Sequence, residues 1–343
     1  MKIINITASF LLITVLLSCD RDTQSNKVVD IGVQGFPELD LASLPTEKGI
    51  ELGRMLFYDP LFSKDGSISC GSCHVQEFGF SDGGNPVSKG VGGLTGGRNA
   101  SSIVNVAWGK NFFWDGRAES LQEQAGKPVE NPLEMDQDWD VVISLIKINS
   151  NYVSLFREVF PEEKNIERFM VEEVLTQFEK SLVSSSSKFD NFVDGSGSLS
   201  TQEIVGMNLF FDEGGECFHC HGMPTFTDNE FHNNGLDSVF SDDGRYDVSG
   251  VTDDKGLFLT PTLRNIEVTG PYMHDGRFST LEEVVEFYST GVHYSTTIDP
   301  LIVGRNSGGG NFSEEEKEAL VAFLKTLTDN DFLYDPRHGD PYK

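Results

Sequence analysis

The sequence predicts a mainly α-helical protein built as two tandem domains related by internal duplication. Three observations carry this. The chain has 343 residues, a length that suits two compact domains, each able to bury a core. Apolar residues recur at helical spacing in several segments. A Cys-x-x-Cys-His pentapeptide occurs twice, each time inside a similar string of landmarks.

Composition sets the outer limits. Apolar residues make up 38% of the chain and charged ones 23%, the balance of an ordinary soluble globular protein beyond the first twenty or so positions. No later stretch is long and apolar enough to span a bilayer. The formal charge of −28 repels nucleic acid, and no basic stripe offsets it. The same charge suits a basic protein partner.

The elements follow in chain order. Residues 1–18 read as a lipoprotein signal peptide: Lys2, an apolar run from Ile3 to Leu17, then Ser18 and Cys19. Leu16-Leu17-Ser18-Cys19 resembles a lipobox, which would make Cys19 the lipidated first residue of the mature chain; a plain secretory peptide cut nearby is the alternative. Residues 19–30 are then a polar tether, and membrane contact is through the lipid anchor alone. An N-terminal domain is expected over 31–190 and a C-terminal one over 191–343. Helical spacing marks 47–58, 172–183, 200–211 and 313–328. Thr280 with Glu283 three residues on reads as a capping box opening a helix over 280–288. The Gly-rich stretch 90–97 reads as a loop, and 182–198, rich in Ser, Gly and Asp, as the link between domains.

Cysteine arithmetic points to the chemistry. Of five cysteines, Cys19 sits in the lipobox and the others form Cys70-Gly-Ser-Cys73-His74 and Cys217-Phe-His-Cys220-His221. This is the attachment motif of c-type haem: two thiols add across the porphyrin vinyl groups, and the adjacent imidazole becomes the proximal iron ligand. Chance would place on the order of 0.001 such pentapeptides in a chain of this composition. Zinc sites or redox disulfides are the alternatives for paired Cys-x-x-Cys. Neither explains a histidine directly after both pairs, and a leader for export suits haem attachment, which takes place outside the cytoplasm.

The landmarks repeat around both motifs. Gly53-Arg-Met-Leu-Phe57 precedes the first and Gly206-Met-Asn-Leu-Phe210 the second; Phe80-Ser-Asp82 and Phe226-Thr-Asp228 follow them. Asn105 leads in nine residues to Trp114-Asp-Gly-Arg117, and Asn265 in nine to His274-Asp-Gly-Arg277. Ser120-Leu121 and Thr280-Leu281 come at equal distances after these.

Across nearly the whole mature chain the sequence resembles the bacterial dihaem cytochrome c peroxidases and the related MauG-type maturases. The resemblance rests on the two haem motifs, Arg98-Asn99-Ala100, Phe113-Trp114-Asp115-Gly116-Arg117, Gln124, Pro128, Glu134-Met135, and the stretch from Gly270 to Gly276 with Leu281-Glu-Glu-Val284. It implies two cytochrome c-like haem domains, with peroxide reacting at the N-terminal haem and electrons entering at the C-terminal one.

The resemblance also implies roles for single residues. Glu134, twenty residues after Trp114, takes the distal acid position, where a carboxylate can move a proton between the peroxide oxygens; taken alone it would read as a solvated loop residue. Gln124 matches a pocket amide. Some members close the N-terminal iron with a distal histidine, but that position is Val91 here, and no histidine occurs between His74 and His219. An open N-terminal iron is therefore expected. The family's distal methionine for the second haem falls at Tyr288, fourteen residues beyond His274, as in MauG-type members. A phenolate there would lower the reduction potential, whereas a thioether would raise it. Met273 is the fallback ligand, His232 a third choice, and a buried aromatic on a helix face the plain alternative. Trp114 resembles the tryptophan between the haems, where an indole can relay electrons, although core packing would also employ it. A calcium ion between the domains is implied, held by the Asn99 side chain and the backbone carbonyls of Thr269 and Pro271.

Three functions are consistent with this reading. The first is a peroxidase reducing hydrogen peroxide with electrons from a small donor protein such as a cytochrome c. The second is a MauG-type maturase oxidising Trp or Tyr of a protein substrate. The third is a dihaem electron carrier, which an open N-terminal iron disfavours.

Overall fold

The computed structural model describes residues 26–303 and 309–343. The signal peptide, Cys19 and the tether up to residue 25 lie outside the described residues. The chain is mainly α. Its helices are α1 (Glu47–Tyr58), α2 (Cys70–Cys73), α3 (Leu121–Glu130), α4 (Trp139–Ile148), α5 (Ser150–Val159), α6 (Arg168–Lys180), α7 (Lys188–Val193), α8 (Thr201–Phe211), α9 (Tyr246–Ser249), α10 (Leu281–Glu286), α11 (Pro300–Val303), α12 (Glu314–Lys325) and α13 (Asn330–Leu333). Two short strands, β1 (Phe231–His232) and β2 (Phe258–Leu259), pair antiparallel, Phe231 facing Leu259. No helix among the described residues is long and apolar enough to cross a membrane.

Two apolar cores organise these elements. In the first, α1 lies on α6. The Thr46 hydroxyl caps α1 by accepting from Gly49 N–H, and Leu52, Leu56 and Phe57 recur on one face, fully buried. They meet Val171, Val174, Leu175 and Phe178 of α6. Each large apolar side chain so buried contributes about 1.5–3 kcal/mol. The two backbones touch at Gly53, where a Cβ would stand 1.9 Å from the Val174 carbonyl oxygen. In the second core α8 lies on α12, with Phe210, Phe226, Leu320, Phe323 and Leu324 inside. Again a glycine makes the crossing: a Cβ on Gly206 would be 1.8 Å from the Ala319 carbonyl.

The repeated landmarks have matching local geometry. Asn105 and Asn265 are both left-handed, at φ 59° and 61°, and each starts a 3-10 turn. Phe113 and Met273 are both at positive φ, inside bridges that pair Phe112 with Ala118 and Tyr272 with Phe278. The hydroxyls of Ser120 and Thr280 then cap α3 and α10.

Several expectations change in detail. The helix expected over 172–183 begins at Arg168 and ends at Lys180. That expected from Thr280 through Tyr288 keeps α form only to Glu286 and then opens into a π turn, Phe287–Gly291. There the Tyr288 and Ser289 carbonyls accept from Gly310 N–H and Asn311 N–H, so the neighbouring loop takes backbone acceptors that a continuing helix would use. The stretch 182–198 holds a short helix, α7, whose capping box pairs Ser187 with Asp190. Its composition hid it. Helices α3, α4 and α5 were not foreseen as elements. Finally, residues 330–343 turn back onto the first core: Phe332 and Leu333 are buried in it, and the Tyr58 hydroxyl donates to His338 O at 2.8 Å.

Candidate functional site

Both Cys-x-x-Cys-His motifs open onto cavities. The first cavity, about 430 Å³, is lined by Cys70, Cys73 and His74. Cys70 and Cys73 lie on the single turn of α2, opened by Ser69 N–H donating to Ser72 Oγ. His74 is turned by a 2.8 Å hydrogen bond between Nδ1 and the Phe80 carbonyl, which Phe80 presents from positive φ. The second cavity, about 280 Å³, is lined by Cys217, Cys220 and His221, with His221 Nδ1 3.0 Å from the Phe226 carbonyl and Phe226 again at positive φ. Committing Nδ1–H to a carbonyl fixes the tautomer and leaves Nε2 to ligate, as in metal-bound imidazoles. Burial lowers both histidine pKa values, which favours the neutral ring that a metal needs.

These cavities fit haem c. The four cysteines form no disulfide. Among the described residues, no metal-sized cluster joins both cysteines of a pair; Cys220 alone lies within such a cluster, with Asp228 and His232. In the first cavity the Gln124 Oε1 and Glu179 Oε2 atoms are buried without a partner in the protein. Buried polar atoms of that kind need one.

Glu134 and Gln124 line the first cavity together with His74. Gln124 stands on α3, and Glu134 on the turn after it, where Asn131 O accepts from Glu134 N–H at 2.9 Å. The Asn131 side chain donates to Glu134 Oε1 at 2.7 Å. Burial raises the Glu134 pKa, against the pull of Arg117 and the Asn131 hydrogen bond. Val91, at the position expected of a distal histidine, donates its N–H to the Glu134 carbonyl at 2.8 Å. This approach needs Gly90: a Cβ there would lie 2.2 Å from Leu133 O. Among the described residues lining this cavity, His74 is the only histidine.

Trp114 belongs to the wall of both cavities. Its Nε1–H donates to Asn99 O at 2.9 Å, and its ring meets His274 edge-on at 6.5 Å, while His274 stacks on Phe258 at 3.8 Å. Arg98 ties the loops around it, donating to both carboxylate oxygens of Asp242, at 2.7 and 2.8 Å, and to Asp115. Asn99, Thr269 and Pro271 all line the second cavity. The Asn99 amide nitrogen donates to the Asn85 and Pro86 carbonyls, 3.2 Å each.

The second cavity also brings Tyr288 and Met273 together. Asn234 Nδ2 donates to the Tyr288 hydroxyl at 3.0 Å and reaches the Met273 sulfur at 3.6 Å. Burial pushes the Tyr288 phenol up to about 12, although the Asn234 hydrogen bond acts the other way. His232 is committed elsewhere. Its Nε2 is 2.8 Å from Asp228 and its Nδ1 2.6 Å from Asp299, and its pKa is raised to about 11, by Asp228 first and Cys220 next.

Two site residues escaped the sequence reading. Asn234 sits in Asn233-Asn234-Gly235, which reads as an ordinary turn. Glu179, pushed up to about 8 by burial alone, is an unremarkable residue within a helix; only the fold carries it into the cavity wall.

Comparison with known proteins gives the family. The di-haem cytochrome c peroxidase family model matches residues 47–198. The chain is 37% identical over 286 residues to cytochrome c551 peroxidase of Nitrosomonas europaea, covering 81% of this chain and 79% of that protein. It is also 37% identical over 289 residues to the methylamine utilization protein MauG of Methylorubrum extorquens, covering 82% and 78%. Among solved structures, a MauG-like protein associated with microbial copper homeostasis superposes with a TM-score of 0.82 at 32% identity, over 91% of this chain and 100% of that one. With two haem-attachment motifs, each at its own cavity, and relatives of this similarity along most of its length, the chain belongs to the di-haem cytochrome c peroxidase family.

Proposed function

We propose that the protein reduces hydrogen peroxide to water in the first cavity, using electrons that a small donor protein such as a cytochrome c delivers through the second. The observation that carries this is the shared wall: Glu134, Gln124 and His74 line one cavity, Tyr288 and His221 the other, and the Trp114 indole borders both. Bound haem c would supply an iron for peroxide at His74 and a second iron for electron entry at His221. The residues do the rest. Glu134 accepts the proton of the inner peroxide oxygen and returns it to the outer one as the O–O bond breaks, and two electrons and two further protons complete two waters. The Gln124 amide orients peroxide, and Trp114 relays electrons. Val91 supports an open first iron, since it offers no ligand. We read the halves as products of a duplication, which the matched asparagine turns and glycine crossings support. A calcium ion held by Asn99 Oδ1 and the Thr269 and Pro271 carbonyls belongs to the same reading. Its support is that the Asn99 amide nitrogen is engaged by two carbonyls, which aims the oxygen the other way; metal analysis finding no calcium in the pure protein would remove it. An envelope location, anchored at Cys19, follows from the leader and is checked by fractionation of cells.

Stopped-flow mixing of the dihaem protein with peroxide and a reduced cytochrome c tests the main reading. Sustained cytochrome oxidation is expected, with Glu134→Gln losing about 100-fold or more of the rate at unchanged haem content. An active Glu134→Gln variant would overturn the assignment.

A second reading is favoured by one observation, Tyr288 beside the second motif, together with the match to a MauG-like structure. In it the protein oxidises Trp or Tyr of a protein substrate. A long-lived oxidised species after peroxide, without cytochrome turnover, would favour it over the peroxidase.

A further inference from the structure

One side chain in the second cavity touches both Tyr288 and Met273, the two residues that would compete to ligate an iron held by His221. Asn234 follows β1, and its own conformation is over-determined. Leu236 N–H donates to Asn234 Oδ1 at 3.2 Å, so the amide oxygen is spoken for and the NH2 end must point to the other side. The turn is pinned as well: Asn233 Nδ2 donates to Ser295 Oγ and Thr297 Oγ1, 2.9 Å each, and His293 N–H donates to Gly235 O at 2.8 Å. The NH2 group has two hydrogens, and two acceptors wait for them, the Tyr288 hydroxyl at 3.0 Å and the Met273 sulfur at 3.6 Å.

We propose that Asn234 is the positioning residue that would select Tyr288 over Met273 as the second ligand of an iron held by His221. This rests on the reading that Tyr288 binds the second haem iron. The selection works from both sides. A hydrogen bond donated to an oxygen that becomes anionic on binding iron is charge-assisted and strengthens as charge accumulates. One donated to a thioether occupies a lone pair that the sulfur would otherwise offer to metal. A single amide therefore supports the oxygen and restrains the sulfur. The π turn brings the phenol to this amide. Its backbone is held in turn by Gly310 N–H on Tyr288 O, at 2.9 Å, and a Cβ on Gly309 would come within 2.4 Å of that oxygen.

The test uses purified holoprotein and reads the ferric second haem by resonance Raman and electron paramagnetic resonance, with its reduction potential. Asn234→Asp keeps an oxygen for Leu236 N–H and replaces the donor by an acceptor; Asn234→Leu removes both and serves as a second variant should the first misfold. Tyr288→Phe defines the spectrum without phenolate. We expect phenolate–iron bands in the parent protein, their loss in both Asn234 variants with appearance of a thioether-ligated signature, and an upward shift of potential. Phenolate bands and a potential that persist unchanged in Asn234→Asp would overturn the role of Asn234 and leave the Tyr288 reading standing. Parent spectra identical to those of Tyr288→Phe would overturn the Tyr288 reading itself, and this inference with it.

Discussion

At the residue scale, the chemistry proposed for Glu134 depends on which protonation state the free protein presents. Only the carboxylate can accept a proton from peroxide, so kcat/KM for peroxide should rise with pH along an acid limb set by this group. Burial holds that group above the ordinary carboxylate range, while Arg117 and the Asn131 hydrogen bond pull it down. Asn131 donates to the carboxylate and so favours the charged form. Replacing it by leucine removes that support, and the pKa moves further up. The acid limb of the Asn131→Leu profile is therefore expected at higher pH than the parent limb, with the plateau above it little changed; a limb that stays in place would show that Glu134 does not set it. The residues proposed to hold haem stood out in the sequence because each motif sets two cysteines and a histidine at fixed places within five positions, a chemically specific pattern. Glu134 became legible only through resemblance, since one acid in Glu130-Asn-Pro-Leu-Glu134 carries no chemistry by itself. Asn234 and Glu179 were illegible because their importance comes from which remote atoms the fold sets beside them.

At the scale of elements, the helices α1, α6, α8 and α12 share a construction that periodicity partly disclosed. Their apolar faces were readable; their crossings were not, because a glycine at helical spacing looks like a weak helix position rather than a contact. Ala is normally the better helix former by about 1 kcal/mol, so Gly53→Ala and Gly206→Ala would stabilise an isolated helix. Here the new methyl would meet a carbonyl oxygen at 1.9 or 1.8 Å, which no rotamer change relieves. Each substitution should destabilise the protein by about 2 kcal/mol or more, seen as a lower denaturation midpoint in guanidinium. Gly97→Ala, where a Cβ meets nothing within 4 Å, is the matched control and should leave the midpoint in place. Equal midpoints for all three would mean that the crossings relax without cost. The π turn after α10 was unreadable for a related reason: its carbonyls are engaged by a loop 22 residues downstream in sequence, outside any local window.

At the scale of the whole molecule, what matters is that two cavities built around the same motif are lined differently. The first carries a carboxylic acid and an amide, the second a phenol and a thioether, and the wall between them contains Trp114. An indole buried only for packing would affect stability when trimmed, and nothing else. An indole that relays electrons would affect the rate at which oxidation of one centre reaches the other. Trp114→Phe separates these roles, because a phenyl ring fills most of the space but loses the Nε1–H bond to Asn99 O and is much harder to oxidise. After a peroxide pulse, reaction at the first centre should proceed at the parent rate, while oxidation of the second should slow on the order of tenfold, the response to a barrier raised by about 1.4 kcal/mol. Both haems should remain attached, since neither Cys-x-x-Cys-His segment is altered. A variant that equilibrates at the parent rate and differs only in its denaturation midpoint would assign Trp114 to the core and require electrons to pass by another route.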